Sequence, residues 1–177
     1  MADLQPTLTG DTVELRPTRP EDWAELFAIA SDREIWAVHP AHDRWQEPVF
    51  RRYFEDALAS GGSLTIRERA TGRVIGASRY HPDPQAPTTS EIGWTFLARD
   101  HWGGGTNREI KALMIRHTLQ WFDTTAFMVG ETNLRSRRAM EKIGGVLTDR
   151  TQITELADGP VVHVIYEIGR DAMIAKA

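Results

Sequence analysis

The chain has no cysteine, which excludes disulfides, a thiol nucleophile and a cysteine-ligated zinc site. Long apolar runs are also missing, since nothing approaches the ~20 residues that a membrane-crossing helix needs. The start, MADLQPTLTG, lacks the basic-then-apolar character of a secretory signal. A cytoplasmic location is the expectation. Lysine is scarce, three residues against eighteen arginines, and the net charge is −4. There is thus no global basic footprint for nucleic acid, and neither nucleic acid nor a membrane is an expected partner. The acidic balance favours a cationic small partner. Internal repeats, low-complexity tracts and linkers longer than a turn are absent. What is there is a 177-residue chain with 41% apolar residues, which fits one domain over 1–177 with a substantial core.

Along the chain, TVELRP (12–17) alternates as a strand does. Thr18 with Glu21 makes a capping-box pattern ahead of Trp23, Leu26, Phe27 and Ala30 at helical spacing. EPVFRRYFEDALAS places Phe50, Tyr53, Phe54, Ala57 and Leu58 on one helical face, stopped by Gly61 and Gly62. The runs 63–69 and 73–80 read as a hairpin and 90–97 as a further strand. A helix is expected over 106–122 with Ile110, Leu113, Met114 and Trp121 inward. Strand 126–131, helix NLRSRRAMEKIGG and a closing hairpin complete the order β-α-α-β-β-β-α-β-α-β-β. That order implies a mixed sheet of seven strands with about four helices, an α/β (α+β) domain with one strand–helix–strand crossover.

The crossover opens on WGGGTNREIK (102–111). Ordering three glycines is costly, and helix N-termini offer unbonded N–H groups and partial positive charge to anions. Thr106 with Glu109 repeats the capping-box pattern. A P-loop fails for want of a Lys-Ser or Lys-Thr after the glycines. A dinucleotide fingerprint fails because Arg108 stands where its third glycine belongs. From the triplet alone, a flexible but well-capped loop and a diphosphate site both stay open.

Three segments in order carry more weight. Glu91-Ile92-Gly93-Trp94, then Trp102-Gly103-Gly104-Gly105, then Asn133 through Ser136 to Glu141-Lys142-Ile143-Gly144 resemble the acyl-CoA site of the GNAT superfamily of N-acetyltransferases. The likeness is greatest to the ribosomal-protein (RimJ/RimL-type) branch, and ELRPTRPEDWAELFAIA resembles that branch's opening strand and helix. The resemblance implies a GNAT fold whose fourth and fifth strands, 90–97 and 126–131, splay into a V. It also implies that acetyl-CoA is the cosubstrate. Its pantetheine arm would bond Thr95, Phe96 and Leu97 and the side chain of Asn133, with its diphosphate on Gly103, Gly104, Gly105, Thr106 and Asn107. Asp100 departs from the commoner Arg or Gln before the loop, leaving Arg99 or Arg108 to supply positive charge. Asn107 departs from the usual small residue. The basic cluster LRSRRAMEK is a further candidate for phosphate contact.

Acetyl transfer needs a neutral amine, a place for the oxyanion and a proton for the leaving thiolate. The resemblance assigns the base to Glu91, whose alternative is a solvated strand-end charge. It sets Met140 where many relatives carry a tyrosine acid, so Ser136 becomes the candidate near the sulfur, against a merely local backbone role. Trp36, Trp45, Tyr80 and Trp94 are candidates to line the acceptor cleft, with core packing as the competing reading for the loop aromatics. The acceptor would be a primary amine, either a protein N-terminus or a small molecule, and a homodimer stays open. The six histidines show no i,i+4 ligand pair with a third ligand, and no metal is predicted. A non-catalytic CoA-binding protein and a nucleotide-binding module remain the rival readings.

Overall fold

The computed structural model describes residues 1–156 and 158–174. A two-residue strand β1 (Leu8–Thr9) pairs with β2 (Val13–Pro17). Val13 and Leu15 of β2 enter one buried cluster with Leu64 and Ile66 of β3 (Ser63–Glu68), as their alternation requires. With β4 (Val74–Pro82), β5 (Thr89–Leu97), β6 (Thr124–Gly130), β7 (Val146–Leu156) and β8 (Gly159–Gly169) they form one sheet of order β1-β2-β3-β4-β5-β6-β8-β7. The sheet has eight strands, one more than the periodicity predicts, because two residues are too few to display a period.

Helices α1 (Trp23–Ala30) and α2 (Glu47–Ala59) cover one face, packing Leu26, Phe50 and Phe54 against Val74, Ala77 and Phe96. Helices α3 (Thr106–Thr118) and α4 (Leu134–Lys142) cover the other, where Ile110, Met114 and Met140 meet Ile75, Ile92, Leu97 and Phe127. A five-residue α5 (Arg170–Ile174) follows β8. Neither predicted capping box forms. Asp22 caps the entry to α1, accepting from Arg19 N and Thr65 Oγ1 while pairing Arg16 at 2.6 Å. At α3 the N-cap is Gly105, and Glu109 instead reaches across to accept from Thr12 N at 2.9 Å. Because α3 ends at Thr118, Trp121 falls off its apolar face and is 47% exposed.

Every strand pair is antiparallel except β5 with β6. Those two strands pair only at Thr89–Thr124, Ser90–Thr125 and Glu91–Ala126. Beyond Glu91 they part, and the expected V opens between Ile92–Leu97 and Phe127–Gly130. A second irregularity lies on the other side of β5. Ala77 pairs Phe96 and Arg79 pairs Gly93, so Ser78 alone opposes Trp94 and Thr95. This is a bulge, and at it Trp94 adopts φ 52°, a left-handed conformation that costs a non-glycine residue about 1–3 kcal/mol.

Candidate functional site

The V is the floor of a cleft of about 820 Å³ running from the α1–α2 loop to the start of α3. Twelve of the sixteen residues singled out from sequence line it: Trp36, Trp94, Thr95, Phe96, Leu97, Gly103, Gly104, Gly105, Asn107, Arg108, Asn133 and Ser136. At its mouth an ideal Cβ on Gly103, Gly104 or Gly105 would meet no atom within 4 Å. Internal packing therefore does not demand three glycines. Gly103 has φ 74°, which a side chain would strain, and the loop leaves room for a ligand against the first amides of α3. Arg108, Arg135, Arg138 and Lys142 border the same cleft, so cationic side chains flank this end. Trp102 donates from Nε1 to Leu97 O at 3.1 Å, and the Arg135 guanidinium lies 4.1 Å from the centre of its ring. That contact joins the β5 bank to the α4 bank.

Asn133 is the N-cap of α4, and its side-chain oxygen accepts from Ser136 N at 3.2 Å. Asn133 lines the cleft, and no partner for its amide NH2 is found among the described residues. Asp100 pairs with Arg73 at 2.6 Å, on the outer side of the loop. Thr106 starts α3 behind the glycines, its hydroxyl 3.3 Å from His101 Nδ1.

Glu91 sits where the strands separate and is 8% exposed. Burial pushes its carboxyl up to about 7, against the opposing charges of Arg79 and Lys111. Gly93 keeps space for it, since a Cβ there would lie 2.7 Å from Glu91 Oε1. Lys111, 4% exposed on α3, lies under the parted strands and donates from Nζ to Thr95 Oγ1 at 2.8 Å. Burial lowers its ammonium from 10.5 to about 7, with Glu91 opposing. Among the described residues no carboxylate lies within ion-pair distance of Lys111.

On the α1–α2 face, the Tyr53 hydroxyl donates to Trp94 O at 2.7 Å and holds the bulged peptide. Trp36 is 1% exposed, donates from Nε1 to Ala30 O at 2.7 Å, and packs on Phe96 with ring centres 5.4 Å apart. It is both core and cleft wall. Trp45 packs on the outside of that core, with the Arg33 guanidinium 5.6 Å from its ring centre. Tyr80, expected to line the acceptor cleft, instead points to the opposite face, 1% exposed, its hydroxyl donating to Met114 O at 3.0 Å.

The Acetyltransferase (GNAT) domain model matches residues 12–146. The chain belongs to the GNAT acetyltransferase family. Membership supports acyl transfer from an acyl-CoA donor. The GCN5-related N-acetyltransferase of Brucella melitensis aligns with TM-score 0.80 and 19% identity, over 97% of this chain and 81% of its own. The GNAT-family acetyltransferase of Bacillus anthracis aligns with TM-score 0.75 and 14% identity, over 94% and 99%. Mycobacterium smegmatis RimJ, in complex with CoA-disulfide, aligns with TM-score 0.74 and 16% identity, over 97% and 91%. At such identities these GNAT likenesses carry the fold alone. No curated relative matches the sequence.

Sequence reasoning missed Lys111, Arg79, Arg44 and Tyr53. For Lys111 a signal existed. Positions 111, 114, 115 and 118 share one helical face, and Met114, Ile115 and Thr118 are all buried.

Proposed function

We propose that the protein transfers an acetyl group from acetyl-CoA to a primary amine by direct attack within the V, as a RimJ/RimL-like member of its family. The observation that carries this reading is the three-residue pairing of β5 with β6, which leaves a strand-wide opening beside Glu91. The pantetheine arm takes the place of the missing partner against Thr95, Phe96 and Leu97, with the Asn133 amide donating to it. The diphosphate rests on the amides of Gly103 to Asn107, beside Arg108.

Glu91 removes a proton from the acceptor ammonium, and the freed nitrogen attacks the thioester carbonyl. The tetrahedral adduct gives up its second N–H proton through Ser136 or Lys111 as the oxyanion collapses and the C–S bond breaks, giving an acetamide and the CoA thiolate that this proton neutralises. A carboxyl held up to about 7 suits this task, because it is half-ionised at neutral pH and basic enough to accept a proton. The Lys111 ammonium keeps donors to spare beyond Thr95.

Gly105→Glu tests the donor half. Its carboxylate would stand against the diphosphate, and we expect CoA affinity to drop at least about tenfold in calorimetry, since one charge clash of that kind exceeds ~1.4 kcal/mol. Unchanged affinity would refute the placement of the loop.

A further inference from the structure

Many of the eighteen arginines are exposed and need no partner, but a buried one does. Seven pair with Asp or Glu within 4.0 Å; of those without such a partner among the described residues, Arg79 is buried and Arg44 half-buried. Neither lines the cleft itself, but each guanidinium lies against one of its wall residues, Arg79 against Trp94 and Arg44 against Trp36. Arg79 is 9% exposed, stacks on Trp94 with Cζ 3.8 Å from the ring centre, and donates from Nη1 to Asp56 O at 3.2 Å. Its Nε–H is buried with no partner. The Arg44 guanidinium lies over Tyr53 at 5.0 Å and Trp36 at 5.6 Å from the ring centres.

Burial holds both side chains below the usual arginine range, and the Arg79 charge pushes Arg44 further down. A guanidinium does not release its proton in a protein. The direction therefore reflects desolvation of a buried Arg79 and a half-buried Arg44, neither paired with a carboxylate among the described residues. The groups facing them are Tyr53, Asp43, Asp56 and Glu91, none within ion-pair distance. Buried unpaired cations are rare unless a ligand completes them.

Their place relative to Glu91 gives the missing group a role. Glu91 pairs with His81 and Gly93 with Arg79, so Glu91 and Arg79 are diagonal cross-strand neighbours about 7 Å apart. Resting on the acetyl-transfer reading above, we propose that the acceptor amine carries a carboxylate, which docks on Arg79 and Arg44 while Glu91 takes the amine's proton. The spacing suits a carboxylate a few bonds from the nitrogen. A single planar charge fits two forked donors, whereas a phosphate dianion would meet the repulsion of Glu91. The net charge of −4 pointed to a cationic acceptor, but the local field at this site has the opposite sense.

The same carboxylate can belong to a free amino acid or to a peptide whose first side chain is Asp or Glu, and the test separates them. Thiol release from saturating acetyl-CoA is measured with free amino acids, their carboxamides, Asp- and Glu-initial peptides, Ala-initial peptides and spermidine. We expect a carboxylate acceptor of one source to exceed its neutral counterpart about 100-fold in kcat/KM, and the winning arm names the source. Arg79→Met should raise KM for that acceptor at least about tenfold while CoA affinity in calorimetry is kept, and Arg44→Gln should act in the same direction. Equal or better turnover of carboxamides, Ala-initial peptides or spermidine overturns the carboxylate proposal and leaves acetyl transfer standing. Failure to bind CoA and to release thiol with every amine overturns the underlying reading instead.

Discussion

Lys111→Met should make the protein more stable and a poorer catalyst. A tenfold change in proton affinity corresponds to about 1.4 kcal/mol. The fall of the Lys111 ammonium from 10.5 to about 7 therefore corresponds to about 5 kcal/mol that the charged side chain costs the folded state. Methionine has a similar length and no charge. It forfeits the bond from Nζ to Thr95 Oγ1, about 1.5–3 kcal/mol for a charged donor, but Thr95 keeps Ser78 Oγ at 2.8 Å. The balance is a gain of about 2–3 kcal/mol, which at ~2–4 °C per kcal/mol raises Tm by about 4–12 °C. The pH dependence has a definite sign. Folded protein sheds this proton near 7 and unfolded chain near 10.5, so wild-type stability rises with pH between those values. The advantage of the methionine variant is then full below pH 7 and shrinks towards pH 10. Urea unfolding at pH 6 and pH 9 measures both points. Removing the Lys111 charge also withdraws support from the ionised form of Glu91, so the acidic limb of the rate profile should move to higher pH while kcat falls. A variant less stable than wild type at pH 6, with the acidic limb in place, would refute the electrostatic account of this lysine.

Two substitutions probe the reacting end. Glu91→Gln should lower kcat by about 10²–10⁴ and abolish the limb centred near the wild-type value of about 7; a wild-type pH–rate profile would remove Glu91 from the mechanism. Because the folded state raises this carboxyl from 4.5 to about 7, wild-type stability is lost as pH rises across that window, so the glutamine variant should be the more stable above pH 7 and equal below pH 4.5. Tyr53→Phe removes the hydroxyl that holds Trp94 O and should cost about 1 kcal/mol in urea unfolding, with acceptor KM raised and CoA affinity kept. A shift in CoA affinity instead would mean that the bulge serves the donor end.

The glycine-loop end of the cleft was legible in the sequence because its signals are local. Glycine at 103–105, the cap at Asn133 and the strand 90–97 each announce themselves within a few residues, and the structure brings them to one cleft. Thr106 and Glu109 show the limit of such patterns. The spacing of a capping box was present, but Glu109 found Thr12 of a distant strand, and no local rule anticipates a bond 97 residues away. Lys111 was passed over because a polar residue beside Ile110 reads as helix surface, although its neighbours at i+3 and i+4 are core.

The acceptor end was illegible for a different reason, the parity of two strands. In β3–β4, Ile66 pairs Gly76 while Arg67 pairs Val74, so Ile75 is an extra residue in the ladder. Val74 faces the α1–α2 cluster, and without the bulge Gly76, Ser78 and Tyr80 would follow it there. With the bulge, Ala77 joins Val74 in that cluster and Tyr80 joins the opposite one. Arg79 thereby takes the place beside Glu91 that alternation would give to its neighbour. The bulge at Trp94 acts likewise on β5, where Ile92 and Phe96 lie an even number of residues apart yet belong to opposite clusters. One inserted residue in each strand thus exchanges a tyrosine for an arginine and turns Thr95 towards Lys111. The carboxylate specificity proposed here is a consequence of register. Deleting Ile75 should therefore turn Tyr80 to the α1–α2 face only at the cost of burying Arg79 against α3.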